Sequence, residues 1–464
     1  MSGINVYAHY TCEGEYPDLD YAGAAERLAQ AISCRTIDRG ESTDEAPFER
    51  LHALVRSSYP HVMAAADVEE VGRSLLITCP GTDPSLPCAL LLAHQDVVPV
   101  APGTESAWRH GAFAGHLDES HVWGRGALDI KDMLMGELEA LEYLLARGDR
   151  PRRTVILAFG ADEETASTGA TRLAAILEGR GVRAAWLLDE GTTTMIDGAV
   201  WGAPGCVLAD VCVSQKGYLD LRLDARGEGG HSSNPFGGTS LERLCTAVAR
   251  IAEARPAPSL TPIVRDTFRA LAPHVAEEPL RTLVKDVDAN ADAIAWLAAA
   301  RRELHPFVMT TMAVDMLEGG SAAPNVMPAA ASATVNFRLL PGTTADDVLA
   351  WVEGALGGTG VTATLLHATP AGRVDSAGKA GYAEVAEALT HFYRDVEVVP
   401  SFVCGGTDAI RYEAVCDSIL RVIPFRPTPE EVATGVHGVD ERISRRTYAQ
   451  GIRVLVRLLE KTVL

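Results

Sequence analysis

Residues 155–164 read Val155-Ile156-Leu157-Ala158-Phe159-Gly160-Ala161-Asp162-Glu163-Glu164, a nearly continuous apolar run that stops at three acids. A strand with one solvated face alternates polar and apolar residues, whereas a strand covered on both faces stays apolar throughout, as in the parallel sheets of α/β proteins. The runs 74–78, 89–93 and 184–188 have the same character. Helical patterns lie at 21–32 and 133–145, the second stacking Leu134, Leu138, Leu141 and Leu145 on one face with Gly148 as its C-cap. Strands alternating with helices predict an α/β domain, a largely parallel sheet flanked by helices.

From about residue 217 the texture changes. An alternating strand at 218–223 is followed by a helix at 240–254 and a long helical stretch at 265–302. A second alternating strand, 331–339, leads through Pro341-Gly342 into a helix at 344–356 and a strand at 361–366. Beyond about 370 the α/β texture returns, with a helix at 381–393, apolar runs at 396–403 and 418–423, and a closing helix at 448–459. This predicts one discontinuous α/β domain, 1–215 and 369–464, split by an inserted α+β domain, 216–368.

The chemistry gathers at strand ends, where an open α/β sheet places its ligand site. The 89–93 run ends in His94-Gln95-Asp96. Residues i and i+2 of an extended segment face one side, so Asp96 can hold the second imidazole nitrogen of His94, as metal-bound histidines require. A glycine-punctuated loop, Gly124-Arg125-Gly126-Ala127-Leu128, delivers Asp129, which is either a metal ligand or a helix-capping acid. Asp162-Glu163-Glu164 ends one strand and Asp189-Glu190-Gly191 another; crowded acids are either a solvated turn or a cation site. Near the C-terminus, His437 lies in a glycine-flanked loop. A histidine and carboxylates around a crevice suit Zn²⁺, Mn²⁺ or Co²⁺, and two metals sharing a carboxylate suit amide or ester hydrolysis.

Composition narrows the alternatives. The chain has 464 residues, enough for about three domains or two large ones, and 62 acidic against 41 basic side chains give a net charge of −21. That excess argues against nucleic acid or an anionic membrane as partner, both of which need a dense basic face. No run approaches the roughly 18 apolar residues of a membrane span, and the opening residues carry no secretory signal pattern. Nine scattered cysteines with no C-x-x-C pair read as free, mostly buried thiols of a cytoplasmic protein. There is no G-x-S-x-G elbow, phosphate-binding P-loop or H-E-x-x-H helix.

The segments LLAHQDVVPV, VWGRGALDIKD, PRRTVILAFGADEE, RGVRAAWLLDEG, GHSS, NVMPAAASATVNFRLLPG, GGTDAIRY and VHGVDERIS occur in this order along nearly the whole chain. Together they resemble the di-zinc metallopeptidase family of aminoacylase, carboxypeptidase S, acetylornithine deacetylase and succinyl-diaminopimelate desuccinylase, nearest the branch of carboxypeptidase S and the N-fatty-acyl-amino-acid hydrolases. The resemblance implies two Zn²⁺ per chain, with Co²⁺ or Mn²⁺ as substitutes. It assigns His94, Asp129 and Glu190 to one ion and Asp129, Glu164 and His437 to the other, with Asp129 bridging. It makes Asp96 the residue that orients His94, and Glu163 the general base toward a metal-bridging water. His231 corresponds to an inserted-domain histidine that stabilises the oxyanion, in dimeric relatives from the neighbouring subunit. Asn325, Arg338, Gly406 and Thr407 correspond to substrate-binding positions, with Arg338 suited to a carboxylate. The inserted domain becomes a lid and a homodimerisation element.

Two positions stay open. Asp189 precedes Glu190 and competes with it as third ligand, although the D-E-G pattern favours Glu190. Asp132 stands where relatives carry a small residue and is either a fourth acid near the metals or a helix cap. His110, His116 and His121 read as surface or structural residues. The function implied is hydrolysis of a small-molecule N-acyl amino acid or a short peptide with a free C-terminal carboxylate. The alternatives are a dipeptidase of the same family and a non-catalytic binding protein on the same scaffold. The stretch 265–302 has three candidate roles: lengthening the lid, shaping the pocket or building a dimer contact.

Overall fold

The computed structural model describes residues 14–191, 195–373 and 378–464; Cys12, read as one of the free thiols, lies outside them. A nine-stranded sheet organises the larger part of the chain. Its order is Asp67–Val71, Ser74–Cys79, Val155–Gly160, Cys88–His94, Ala184–Asp189, Ile419–Arg421, Val207–Gln215 and Val396–Val403, with Met195–Asp197 paired to Val207–Gln215. The four strands from Val155–Gly160 to Ile419–Arg421 run parallel, as do Val207–Gln215 and Val396–Val403. Antiparallel strands extend both ends, so the sheet as a whole is mixed. In the parallel centre His94, Gly160 and Asp189 all finish their strands at one edge.

The continuous apolar runs have the expected cause. Leu91, Ala93, Leu157, Phe159 and Leu188 point to one face, packed by the helices Tyr21–Ser33, Lys131–Ala146 and Arg445–Val463. The alternate residues Leu90, Leu92, Ile156, Ala158 and Leu187 point to the other, against Leu173 and Leu177 of Thr168–Gly179. Each fully buried Leu of this kind contributes about 1.5–3 kcal/mol. The Lys131–Ala146 helix is buried far beyond its predicted leucine stripe, because Arg445–Val463 covers its second side. Gly136 lies at that contact, where a Cβ would fall 3.2 Å from Leu455 Cδ1, and Gly451 makes room for Phe425, whose Cδ1 would lie 1.9 Å from a Cβ there. Gly148 sits just past the helix end with φ +93, as a C-terminal glycine should.

A second sheet is antiparallel, in the order Thr311–Gly319, Ala330–Leu339, Gly217–Arg226, Val361–Thr369. Leu219, Leu221 and Leu223 face the helices Ser240–Glu253 and Ala345–Leu356, giving the period-two burial expected of a sheet covered on one side. The stretch 265–302, read as a long helical stretch, is broken into shorter helices. Pro273 and Pro279 interrupt it, leaving Pro262–Leu271, Leu280–Leu283 and Ala291–Ala299. Its apolar residues Phe268, Leu271 and Ile294 join the core of the large sheet, and Thr267 Oγ1 donates to Pro400 O at 2.6 Å. Among the described residues no helix is long and apolar enough to cross a membrane.

Candidate metal centre

Four loops at the strand-end edge bring the predicted acids and histidines together. His94 closes its strand with Nε2 3.0 Å from Asp129 Oδ1 and 3.7 Å from Glu190 Oε1. His437 points its Nε2 at Asp129 Oδ2, 3.0 Å away, and at Glu164 Oε1, 3.1 Å away. Asp129 therefore stands between two groups, His94–Asp129–Glu190 and Asp129–Glu164–His437. Within each, one potential ligand atom per residue lies within 4.8 Å of the others. Two imidazoles and three carboxylates form a nitrogen and oxygen donor set of the kind that binds first-row divalent cations, so the residues present fit such ions.

The electrostatics show the same need for positive charge. Burial pushes Glu190 well above the usual carboxyl range, with Asp129 and Glu163 adding to the push against the pull of His94. Glu163 is raised first by burial and then by Asp408, Glu164 and Asp96, while His94 opposes them. Burial favours a neutral His94, but bonds to Asp129 and Asp96 overcome it and hold its pKa high. His437 is pushed up to about 10, first by its bond to Asp129 and then by Glu164.

Asp96 organises the centre from below. Its carboxylate oxygens accept the backbone N–H groups of Glu163 and Glu164, each at 3.0 Å. His94 Nδ1 lies 3.0 Å from the Asp96 main-chain oxygen and 3.5 Å from Oδ1, so the main-chain oxygen is the nearer contact. Asp162 faces away and caps Thr168–Gly179, accepting the N–H of Thr168 at 2.9 Å and of Gly169 at 2.7 Å. Asp189 also turns away: its Oδ2 accepts the Ala409 N–H at 2.9 Å. Asp132 is buried at the start of Lys131–Ala146, with Oδ1 accepting the Met133 N–H at 2.9 Å.

A cavity of about 470 Å³ adjoins Glu163 and is lined by Arg338, Gly406 and Thr407, so these three predicted residues share one space with it. His231 and Asn325 lie elsewhere. They occupy an exposed two-stranded ribbon, Gly230–His231 with Val326–Met327, where Ser232 N donates to Asn325 O at 3.0 Å. The histidine's Nδ1 is engaged by Ser233 Oγ at 2.8 Å. His110 and His116 stack with ring centroids 3.7 Å apart beside Trp123. His121 packs on the same indole at 5.5 Å.

One tie was missed in the sequence. Glu441 Oε1 accepts the N–H groups of Gly126 and Leu128, both at 2.9 Å, and its other oxygen meets Arg125. Arg125 also donates to His437 O at 3.0 Å. This pair binds the loop carrying Asp129 to the loop carrying His437. An isolated Arg in one motif and a Glu in another were the signal, but nothing in the spacing links positions 316 residues apart.

A mixed α/β fold with two histidine and carboxylate groups sharing one aspartate at a strand-end edge defines a metallohydrolase of the peptidase and amidohydrolase class. The chain belongs to Peptidase family M20/M25/M40, which it matches over residues 90–461. It is 31% identical to the N-fatty-acyl-amino acid synthase/hydrolase of Homo sapiens over 94% of this chain and 87% of that one. It is 29% identical to the probable carboxypeptidase S-like 2 of Dictyostelium discoideum, over 94% and 85% respectively. In fold it resembles the M20 family metallo-carboxypeptidase of Sulfolobus solfataricus, at TM-score 0.64 and 19% identity over 94% of this chain and 98% of that one. Human carnosine dipeptidase 1 matches at TM-score 0.64 and 15% identity over 97% of both chains.

Proposed function

We propose that this chain is a di-zinc hydrolase that cleaves the amide bond of N-acyl amino acids or the C-terminal peptide bond of short peptides, with Glu163 as general base. The observation that carries the reading is the position of Asp129, its two oxygens each 3.0 Å from a histidine of a different ligand group. His94, Asp129 and Glu190 would hold one ion, and Asp129, Glu164 and His437 the other. Bound there, two cations would polarise the scissile carbonyl and favour ionisation of water at neutral pH. Glu163 takes a proton from the attacking water and returns it to the leaving amine nitrogen. Asp96 fixes the backbone of Glu163 and the ring of His94. Arg338 pairs with the substrate's α-carboxylate, while Gly406 and Thr407 line the space beside it.

His231 and Asn325 complete the site from a second copy of the chain, and the inserted sheet supplies the homodimer contact and the lid. Similarity to an N-fatty-acyl-amino acid hydrolase and to a carboxypeptidase S-like protein supports both the acyl and the peptide forms of the reading. The domain division is 1–215 with 369–464 and 216–368, with the 265–302 helices packed on the larger part. The location is the cytoplasm, in keeping with the free thiols among the described residues.

Release of free amino acid from N-acetyl, N-long-chain-acyl and dipeptide substrates, with and without chelator and added Zn²⁺, tests the reading. Chelator-sensitive release restored by Zn²⁺ is expected. Release that survives complete metal removal, or no release from any substrate by protein holding two metals, would overturn it.

A further inference from the structure

The cavity beside Glu163 has more positive charge than one substrate α-carboxylate accounts for. In a chain with 21 more acidic than basic residues, arginines are commonly tied to acids, as Arg27 to Glu139 and Arg457 to Glu387 are. Three cations lining this cavity, Lys216, Arg338 and Arg411, have no such partner among the described residues. Lys216 Nζ is held by the main-chain oxygens of Pro306 at 3.0 Å and Met309 at 2.8 Å. Arg338 lies over the Tyr218 ring, 4.7 Å from its centroid. Arg411, exposed on the short helix Asp408–Tyr412 that follows the Gly406-Thr407 loop, makes no hydrogen bond or ion pair among the described residues. Two acids share the lining, and with Glu163 committed to the metal centre the three cations face one remaining negative charge, that of Asp220. Asp220 accepts from the Tyr218 hydroxyl and from Asn336 Nδ2, each at 2.8 Å, and Glu163 belongs to the metal centre.

The opposite side of the centre is different in kind. A cavity of about 340 Å³ against Asp129 and Glu190 is walled by Leu128, Ile423, Phe425 and Val432. An amide spanning the ligand groups would place one half in an apolar space and the other in a cationic one. A bidentate contact with one carboxylate satisfies one guanidinium, leaving Arg411 and Lys216 facing a second anionic group.

Resting on the amidohydrolase reading above, we propose that the cavity lined by Arg338, Arg411 and Lys216 selects an amino-acid half with two carboxylates, so that the preferred substrates are aspartate or glutamate carrying an apolar acyl group. Arg338 takes the α-carboxylate and Arg411 the side-chain carboxylate, with Lys216 deepening the positive potential behind them. Arg411 is then a specificity-determining residue: it sets which amide is chosen and takes no part in the bond-breaking step.

The test compares kcat/KM of the metal-loaded enzyme for N-lauroyl-L-glutamate and N-lauroyl-L-glutamine, which differ in one charge. The glutamate substrate is expected to be better by at least about tenfold, mainly through KM, since a hydrogen bond to a charged group is the interaction exchanged. Arg411→Ala should bring the ratio close to one and Arg411→Lys should keep part of it, with equal melting temperatures as the folding control. A wild-type ratio near one, or an undiminished ratio in Arg411→Ala, overturns the inference while leaving the amidohydrolase reading intact. Calorimetric titration with glutarate and with butyrate gives a second measure independent of turnover. If no amide is cleaved, glutarate binding tighter than butyrate and weakened in Arg411→Ala still supports the dicarboxylate site, and equal binding of the two overturns it.

Discussion

Asp96 meets Glu163 through the backbone: its Oδ1 accepts the Glu163 N–H at 3.0 Å, leaving the Glu163 carboxyl free to face the cavity. The other Asp96 oxygen holds Glu164 in the same way, and its main-chain oxygen lies beside His94 Nδ1. One buried aspartate thus positions the proposed base and a ligand from each group. Asp96→Ala is expected to weaken metal binding by about 10–100-fold, the usual cost of losing an outer partner of the ligands. Asp96→Asn, which keeps one acceptor oxygen, should lose less. Competition titration with a metal indicator checks both, and unchanged affinity in the alanine variant would refute the role.

Glu163→Gln removes the proton acceptor but keeps the side chain's size and the N–H contact to Asp96. The variant should hold its metals, read by elemental analysis, while kcat falls about 10²–10⁴-fold. Activity within a few-fold of wild type would remove Glu163 from the mechanism.

The strand-end chemistry was legible because it is local. His94, Asp162 to Glu164 and Glu190 each end an apolar run, and parallel pairing carries local ends to a common edge. Where adjacent residues compete, spacing has no say. The D-E-G pattern favours Glu190 over Asp189, but the physical cause is Ala409, whose N–H donates to Asp189 and which lies 220 residues further along the chain. The packing of the 265–302 helices is illegible in the sequence for a similar reason. Their apolar faces are evident, but which core receives them depends on the Val396–Val403 strand, which returns to the sheet from the far side of the inserted segment.

That neighbouring pair yields opposite phenotypes. Glu190→Gln should lose one metal of the two with little change in folding stability of the chelated protein. Asp189→Ala should act on stability instead. Asp189 is the chief favourable charge near Arg421, which is 1% exposed and has Thr407 Oγ1 as its nearest hydrogen-bond partner at 3.1 Å. Weakening the support of that buried guanidinium and losing the Ala409 N–H acceptor should cost about 1–3 kcal/mol in denaturant unfolding. Equal metal loss in both variants would show that the two carboxylates share the ligand role.

Arg338→Ala should raise KM for substrates with a free α-carboxylate and change kcat much less, because a contact made equally in the ground and transition states contributes binding alone. The same substrates with the carboxylate amidated provide the control. An equal loss on both would mean that Arg338 serves the sheet through Tyr218, over which it lies, rather than the substrate.

Glu137 sits in the middle of the buried Lys131–Ala146 helix, fully inaccessible, with no hydrogen-bond partner for either carboxyl oxygen among the described residues. Burial, helped by nearby Asp189, pushes its pKa well above the usual 4.5. A carboxyl raised in the folded state binds its proton more tightly there than in the unfolded chain. Its contribution to stability is therefore full below pH 4.5 and is lost as the pH rises through the folded value. Methionine has nearly the same reach and no polar oxygens to bury. Glu137→Met is therefore expected to be more stable than wild type by about 1–3 kcal/mol at pH 8.5, the range for an unsatisfied buried polar group, with a smaller gain at pH 5.5. Urea unfolding of the chelated proteins at the two pH values measures the difference. A gain that shrinks as pH rises would reverse the sign and show that Glu137 is ionised and paired in the folded protein.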